Sequence, residues 1–233
     1  MKNLSDMFCV SIILARGGSK GIKNKNLIEV GGKPLLYWSI MHSKQCKEIK
    51  EVYVSSDSKE ILNCASYYGA KPIIRPAKIS SDTSSSEDGW IHALKYIELN
   101  FSIKPDLVIA PQVTSPIRAK DDFSKAIKKF VNNNYDSLLS VVGMKDFFIW
   151  EEINDELVSI NYDYKNRKRR QLIKEKFHEN GSFYIFSPNI IKKNKNRLGG
   201  KIGYYRMEKI QELQIDEKED ILLCDNILKY MKY

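Results

Sequence analysis

Between Phe8 and Val142 the sequence alternates five times between a short apolar run and a segment of helical periodicity, a pattern that few folds accommodate. The runs Phe8–Leu14, Glu51–Ser55, Lys71–Arg75, Asp106–Ala110 and Ser137–Val142 read as buried strands by their length and β-branched content. Pro34 opens the first helix, which runs through about Ser43 with Leu35, Leu36, Trp38 and Ile40 available for packing. Asp57 or Ser58 caps the second, where Ile61, Leu62, Ala65 and Tyr68 recur at helical spacing until Gly69 stops it. Glu87 and Asp88 fall in the first turn of a third, and Asp121–Val131 forms a fourth with Phe123, Ala126, Ile127 and Phe130 on one face. Strand–helix alternation of this kind predicts right-handed βαβ units, hence an α/β, doubly wound, mostly parallel sheet with helices on both faces. A chain of 233 residues suits one domain spanning 1–233.

The alternation lapses after Gly143. Trp150–Ile160 is strand-like, Asn161–Lys176 polar and basic, and Asn180–Ser187 and Lys201–Met207 are strands again. Glu217–Tyr230 closes as a helix with Ile221, Leu222, Ile227 and Leu228 expected to face inward. Residues 145–179 therefore read as a small insert that leaves the sheet, with a basic tip able to reach a substrate or a partner subunit.

In open parallel sheets ligands bind beyond the carboxyl ends of the strands. Three polar loops follow strands at that edge: residues 15–27, Ser80–Ser86 and Gln112–Ser115. The first carries Gly17, Gly18 and Gly21 among Arg16, Lys20, Lys23 and Lys25, so backbone N–H groups and cations surround one concavity suited to a polyphosphate. Its G-G-x-x-G spacing is neither a Walker A loop nor a dinucleotide fingerprint. Taken alone it is equally well read as a structural turn, and Lys23 as ordinary solvation.

The formal charge of +9 comes mainly from Lys165–Lys176, Lys192–Lys201 and this loop. A basic nucleic-acid-binding module is the alternative of another class, and it predicts binding that falls steeply with salt. Both basic segments lack the interleaved aromatics of single-strand binders, so anionic small molecules are favoured and no nucleic acid is expected. No stretch approaches the ~20 apolar residues of a membrane span, and Met1–Asp6 is too polar to open a signal peptide. A cytoplasmic location without membrane association is expected. The four scattered cysteines read as free thiols, and His42 and His92 as structural helix residues.

Several separated motifs, in order along nearly the whole chain, resemble the cytidylyltransferases that activate sialic and other nonulosonic acids, the CMP-acylneuraminate synthetases. Ala15-Arg16-Gly17-Gly18-Ser19-Lys20-Gly21 with Lys25-Asn26-Leu27 resembles the signature loop of that family, and Val54-Ser55-Ser56-Asp57 its second-strand motif. Arg75-Pro76 with Ser81-Asp82-Thr83-Ser84-Ser85 resembles the cytidine-side loop. Gln112-Val113-Thr114-Ser115-Pro116-Ile117-Arg118 resembles a Gln-Pro-Thr-Ser-Pro-Leu-Arg segment, with Val113 in place of proline. Arg169-Arg170-Gln171 and Asn180-Gly181-Ser182-Phe183-Tyr184 resemble the sugar-site strings.

The resemblance implies a Rossmann-like nucleotide-diphospho-sugar transferase fold and attack of a sugar acid's anomeric hydroxyl on the α-phosphate of CTP, with Mg2+ as cofactor. It implies that Arg16, Gly17, Gly18, Ser19, Lys25 and Asn26 hold the nucleotide with Arg75, Ser84 and Ser86, and that Lys25 meets the charge developing on the α-phosphate. Ser86 is equally well read as a helix cap. Gln112, Ser115, Arg170, His178, Asn180 and Tyr184 are implied on the sugar side, Arg170 gripping the carboxylate; Arg118 is open between that site and a structural role. The family often binds magnesium through Asp-x-Asp, and Leu213-Gln214-Ile215-Asp216 keeps only Asp216, otherwise readable as a helix cap. His178 stands where some members carry arginine. A homodimer built through the 145–179 insert is implied as well. Within enzymes, the alternative is a cytidylyltransferase for a Kdo-like sugar acid or a polyol phosphate.

Overall fold

A computed structural model describes residues 3–18, 21–145 and 148–231. β1 (Cys9–Leu14) is followed by the glycine loop, a short ribbon of β2 (Glu29–Val30) and β3 (Lys33–Pro34), and α1 (Leu35–Gln45). Then come β4 (Ile49–Ser56), α2 (Lys59–Tyr67), β5 (Lys71–Ile74), α3 (Ser86–Phe101), β6 (Leu107–Pro111), α4 (Asp122–Asn132) and β7 (Ser137–Met144). The excursion carries a separate hairpin, β8 (Trp150–Ile153) and β9 (Glu156–Ser159). β10 (Lys176–Phe186), α5 (Pro188–Asn194), β11 (Ile202–Met207) and α6 (Lys218–Tyr230) complete the order.

Seven strands form the main sheet in the order β11-β7-β10-β6-β1-β4-β5. All neighbours are parallel except β10, which runs antiparallel to both β6 and β7. The excursion begins at the carboxyl end of β7, so a chain returning to the sheet from that end must run backwards between its neighbours. One apolar core, with Leu36, Ile61, Phe123 and Leu228, fills one face of the sheet, and a second, with Trp90, Ile97 and Ile191, fills the other. β10 serves both by alternation: Phe183 and Ile185 enter the first core, Tyr184 and Phe186 the second.

Lys25–Leu27 closes the glycine loop as a 3-10 turn. The sequence placed the elements closely, with three corrections. β10 starts at Lys176 instead of Asn180, because its early residues pair with β7 as the insert returns. Leu222 is 68% exposed, since Cys224, Ile221 and Leu228 supply the packed face of α6. Ser58 caps α2 as expected, whereas α3 is capped by Ser85, whose Oγ accepts from the Asp88 N–H at 3.1 Å, and not by Ser86. All four cysteines are free, and no helix among the described residues is long and apolar enough to cross a membrane.

His42 on α1 is buried, and burial together with the neighbouring Arg118 cation pushes its pKa down to about 3. The folded chain keeps this imidazole neutral while the unfolded chain protonates it below about pH 6.5, so stability is lost as pH falls through that window toward 3. Urea midpoints are expected to drop between pH 6 and 4.5 by the equivalent of about 1.4 kcal/mol per pH unit from this group, a slope that His42→Gln should flatten.

Candidate active site

The described part of the glycine loop is tied down at both ends by the chain's own contacts. The Ala15 N–H continues the β1–β4 ladder to the Ser55 carbonyl at 3.1 Å, and the buried Asn26 side chain donates to the Arg16 carbonyl at 2.9 Å, closing the loop on itself. Gly17 passes so close to α2 that a Cβ there would sit 3.0 Å from that of Ser58. A Cβ on Gly21 would lie 3.1 Å from the Asp216 carbonyl, so the loop packs against the segment leading into α6.

Lys25 is the residue through which the two ends of the chain meet. Its ammonium donates to the Ile215 carbonyl at 3.0 Å and to the Asp216 carboxylate at 2.9 Å, while the Ile215 N–H bonds the Thr114 carbonyl at 2.8 Å. Two other groups of the loop also face carboxylates: Arg16 pairs with Asp82, and the Gly17 N–H donates to Asp57 at 3.0 Å. Where an anion would bind, the chain thus sets three aspartates against its own donors.

A cleft of about 410 Å³ opens between these groups, bounded by Arg16 and Lys25 from the first loop, Arg75 and Ser80–Ser86 from the second, and Gln112–Thr114 from the third. The three polar loops at the carboxyl edge therefore do line one site. Arg75 is buried, with its Nε donating to the Ser80 hydroxyl at 3.1 Å. Burial lowers its pKa, Arg16 adds to that, and Asp57 opposes it. Its guanidinium nevertheless remains a fixed cation.

Of the nucleotide-side residues expected from the sequence, Arg16, Lys25, Asn26, Arg75, Ser84 and Ser86 line this cleft. The Gly17 amide is spent on Asp57, Gly18 is exposed, and Ser19 lies outside the described residues, as does Lys20. Ser84 bonds within its own loop, to Ser81.

The sugar-side residues divide differently. Gln112 lines the cleft. Ser115 is fully buried and donates to the Gly181 carbonyl at 3.3 Å. Asn180 is also fully buried, its amide donating to the Gln211 carbonyl at 3.0 Å, so both Ser115 and Asn180 tie β10 to neighbouring loops instead of facing the cleft. Tyr184 is buried in the second core with its hydroxyl on Glu179, which together with burial pushes its pKa up to about 12. Arg170 is exposed and lines a separate cavity of about 590 Å³ with Lys145, Arg206 and Lys209. His178, 2.8 Å from Glu212, borders a third and more apolar cavity of about 730 Å³ beneath the insert. Arg118 is buried and structural: it donates to Ser182, Ser39 and the Gln112 carbonyl.

Asp216 does not cap α6. Glu217 does, in a capping box with Asp220, which leaves the Asp216 carboxylate exposed beside Lys25. Gln214 turns away, its amide donating to the Asn180 carbonyl at 2.9 Å. Among the described residues no cluster of three His, Cys, Asp or Glu side chains could hold a metal ion. One exposed carboxylate next to a phosphate-sized cleft fits magnesium that takes its remaining ligands from phosphate oxygens and water. Asp57, Asp82 and Gln211 were given no place in the site from the sequence, Asp57 being read only as a candidate helix cap. The first two lie within recognised motif strings, but their partners come from other loops, which no local pattern reveals.

The chain is similar to known proteins over nearly its whole length. The family model described as cytidylyltransferase matches residues 10–232. Post-translational flagellin modification protein B of Campylobacter coli is 29% identical over 97% of this chain and 96% of that protein. N-acylneuraminate cytidylyltransferase of Oncorhynchus mykiss is 34% identical over 91% of this chain, which spans only 48% of that relative. Pseudaminic acid cytidylyltransferase of Campylobacter jejuni is 34% identical over 79% of this chain and 78% of its own length. The chain thus covers about half the length of the N-acylneuraminate relatives and most of the Campylobacter ones. Among solved structures, CMP:2-keto-3-deoxy-manno-octonic acid synthetase complexed with CTP superposes with a TM-score of 0.70 at 14% identity, covering 96% of this chain and 99% of that one. The 4-diphosphocytidyl-2C-methyl-D-erythritol synthase of Anaerococcus prevotii reaches 0.65 at 17%, over 96% of this chain and 99% of its own. Those two likenesses establish the fold, a Rossmann-like α/β plan. With its matched residues and relatives above 30% identity, this chain belongs to the cytidylyltransferase family of enzymes.

Proposed function

We propose that this chain transfers CMP from CTP to the anomeric hydroxyl of a nonulosonic acid of the sialic or pseudaminic type, releasing pyrophosphate. The observation that carries this reading is one cleft gathering Arg16 with Lys25, Arg75, and Gln112 from loops at three strand ends, beside the names of the relatives. A triphosphate entering there would replace the aspartates now facing Arg16 and Lys25, and gain charge-assisted hydrogen bonds in their place. Arg75, held rigid by burial, would meet the nucleoside end, and Gln112 would stand toward the acceptor. Lys25 would then stabilise charge developing on the α-phosphate, a point-charge role that suits an ammonium.

Magnesium is part of the proposal, with Asp216 as the residue that would hold it. When bound, the ion supplies charge neutralisation on the leaving pyrophosphate. A homodimer is proposed through the insert, whose hairpin exposes Trp150, Ile153, Leu157 and Val158, an apolar surface of the kind that marks interfaces. A cytoplasmic location is part of the proposal, in keeping with the use of an intracellular nucleotide.

The test is incubation with CTP, magnesium and a panel of sugar acids, following pyrophosphate and identifying the product. Release is expected with N-acetylneuraminic, legionaminic or pseudaminic acid. No release with any nine-carbon 2-keto acid, or release only with Kdo or a polyol phosphate, would overturn the acceptor assignment.

A further inference from the structure

Helix α3 carries a buried glycine, Gly89, at the end of its first turn, where only proline would weaken a helix more. A Cβ there would lie 2.9 and 3.3 Å from the two methyl carbons of Leu14 and 3.2 Å from Nη1 of Arg75. Leu14 ends β1, Arg75 follows β5, and both line the nucleotide cleft. The bare backbone of α3 therefore rests directly on two walls of that cleft.

Arg75 is tied at its backbone and at Nε, and open beyond. Its N–H donates to the Ser56 carbonyl at 2.8 Å, and its Nε is bound to Ser80. The residue is only 7% exposed, yet among the described residues its terminal amino groups have no hydrogen-bond partner. A buried fork with unspent donors on the wall of a cleft calls for an acceptor from a ligand. His92, three residues after Gly89 on the same face of α3, feels the same cation: burial first, then Arg75, lowers its pKa.

Where that fork lies is set by what packs against it. A methyl group at position 89 would have to displace both Leu14 and the guanidinium, and the open space they share is the cleft. We infer that Gly89 is a positioning residue, setting the depth of the Arg75 guanidinium and hence the fit of the nucleoside end of the nucleotide. The helix gives up intrinsic stability at this position for the close approach. This rests on the proposed reading in which Arg75 meets that end of CTP.

The test compares calorimetric binding of CMP and of pyrophosphate to wild type and Gly89→Ala, beside thermal unfolding. CMP reaches the nucleoside end of the cleft, pyrophosphate only the phosphate end. Gly89→Ala is expected to weaken CMP roughly 10-fold, the lower end of a hydrogen bond to a charged group, with pyrophosphate unchanged. Turnover should show the same rise in KM for CTP with kcat little altered. The thermal midpoint should hold or rise, because alanine favours the helix. A merely structural glycine would lower the midpoint and leave the ratio of the two affinities intact. In an Arg75→Met background Gly89→Ala should lose most of its effect on CMP, and an undiminished effect there overturns the inference. Should Gly89→Ala fail to fold, Leu14→Ala removes the nearest collision, and the comparison is made in that background. Unchanged CMP affinity, or equal weakening of both ligands, in a folded variant also overturns the inference while wild-type CMP binding stands. A wild type that binds neither CTP nor CMP overturns the nucleotide reading instead.

Discussion

Lys25→Met is expected to lower kcat for pyrophosphate release by roughly 10²–10³-fold, the usual loss when one preorganised donor to a developing charge is removed. The variant keeps most of the length of the side chain and removes its charge together with the bonds to Ile215 and Asp216, and the core of the sheet is untouched, so the fold should persist. CTP affinity should fall less than kcat, since Arg16 and Arg75 still face the cleft. Steady-state kinetics with titrated CTP, beside equilibrium CTP binding, separates the two. Equal losses in binding and kcat/KM with kcat unchanged would show that Lys25 binds ground state and transition state alike and gives no added stabilisation to the developing charge. Asp216→Asn gives the complementary result. In the free chain it loosens Lys25, whose ammonium retains the Ile215 carbonyl, and turnover should fall most at low magnesium. Activity within a few-fold of wild type across a magnesium titration would sink the metal role.

Arg118→Ala is expected to cost about 3–5 kcal/mol of folding stability, a large part of the 5–15 kcal/mol typical of a domain. The guanidinium donates to the Ser182 and Gln112 carbonyls at 2.8 and 2.7 Å and to the Ser182 and Ser39 hydroxyls at 2.9 and 3.2 Å. Removing it strands buried acceptors where water does not reach, and it opens a void beside Phe123, whose ring lies 5.5 Å from the guanidinium. Lysine supplies the charge but not a planar fork serving four acceptors, so Arg118→Lys should recover little. Urea unfolding followed by circular dichroism reads the shift. A midpoint within 1 M of wild type, at unchanged slope, would contradict the assignment. Because Arg118 anchors the Gln112 carbonyl, a folded remnant should also show raised KM for the acceptor.

Element order and the edge carrying the site were legible because their signals are local. A β-branched run, a cap and a helical stripe each sit within a few residues, and their alternation sets the carboxyl edge. The loop from Ala15 to Leu27 and its cationic residues were legible for the same reason. Residue roles on the acceptor side were less so. Ser115, Asn180 and Tyr184 are polar residues near a strand end, and nothing in their spacing says whether the polar atom faces a cleft or a neighbouring strand. The antiparallel return of β10 decided it: it placed Gly181 against Ser115, and Gln211 against Asn180, where each polar atom finds a partner inside the fold.

The sequence by itself determined a parallel α/β sheet, a phosphate-sized loop after its first strand, and membership of a family through motifs kept in order. Only the tertiary structure decided that Lys25 meets Asp216 across 191 residues, that Asp57 and Asp82 face the loop's own donors, and that Gly89 of α3 lies on Arg75. Local periodicity fixes which face a residue takes on its own element. Which loops then confront one another depends on strand order and on the length and direction of each return, and these are settled by packing between segments remote in sequence.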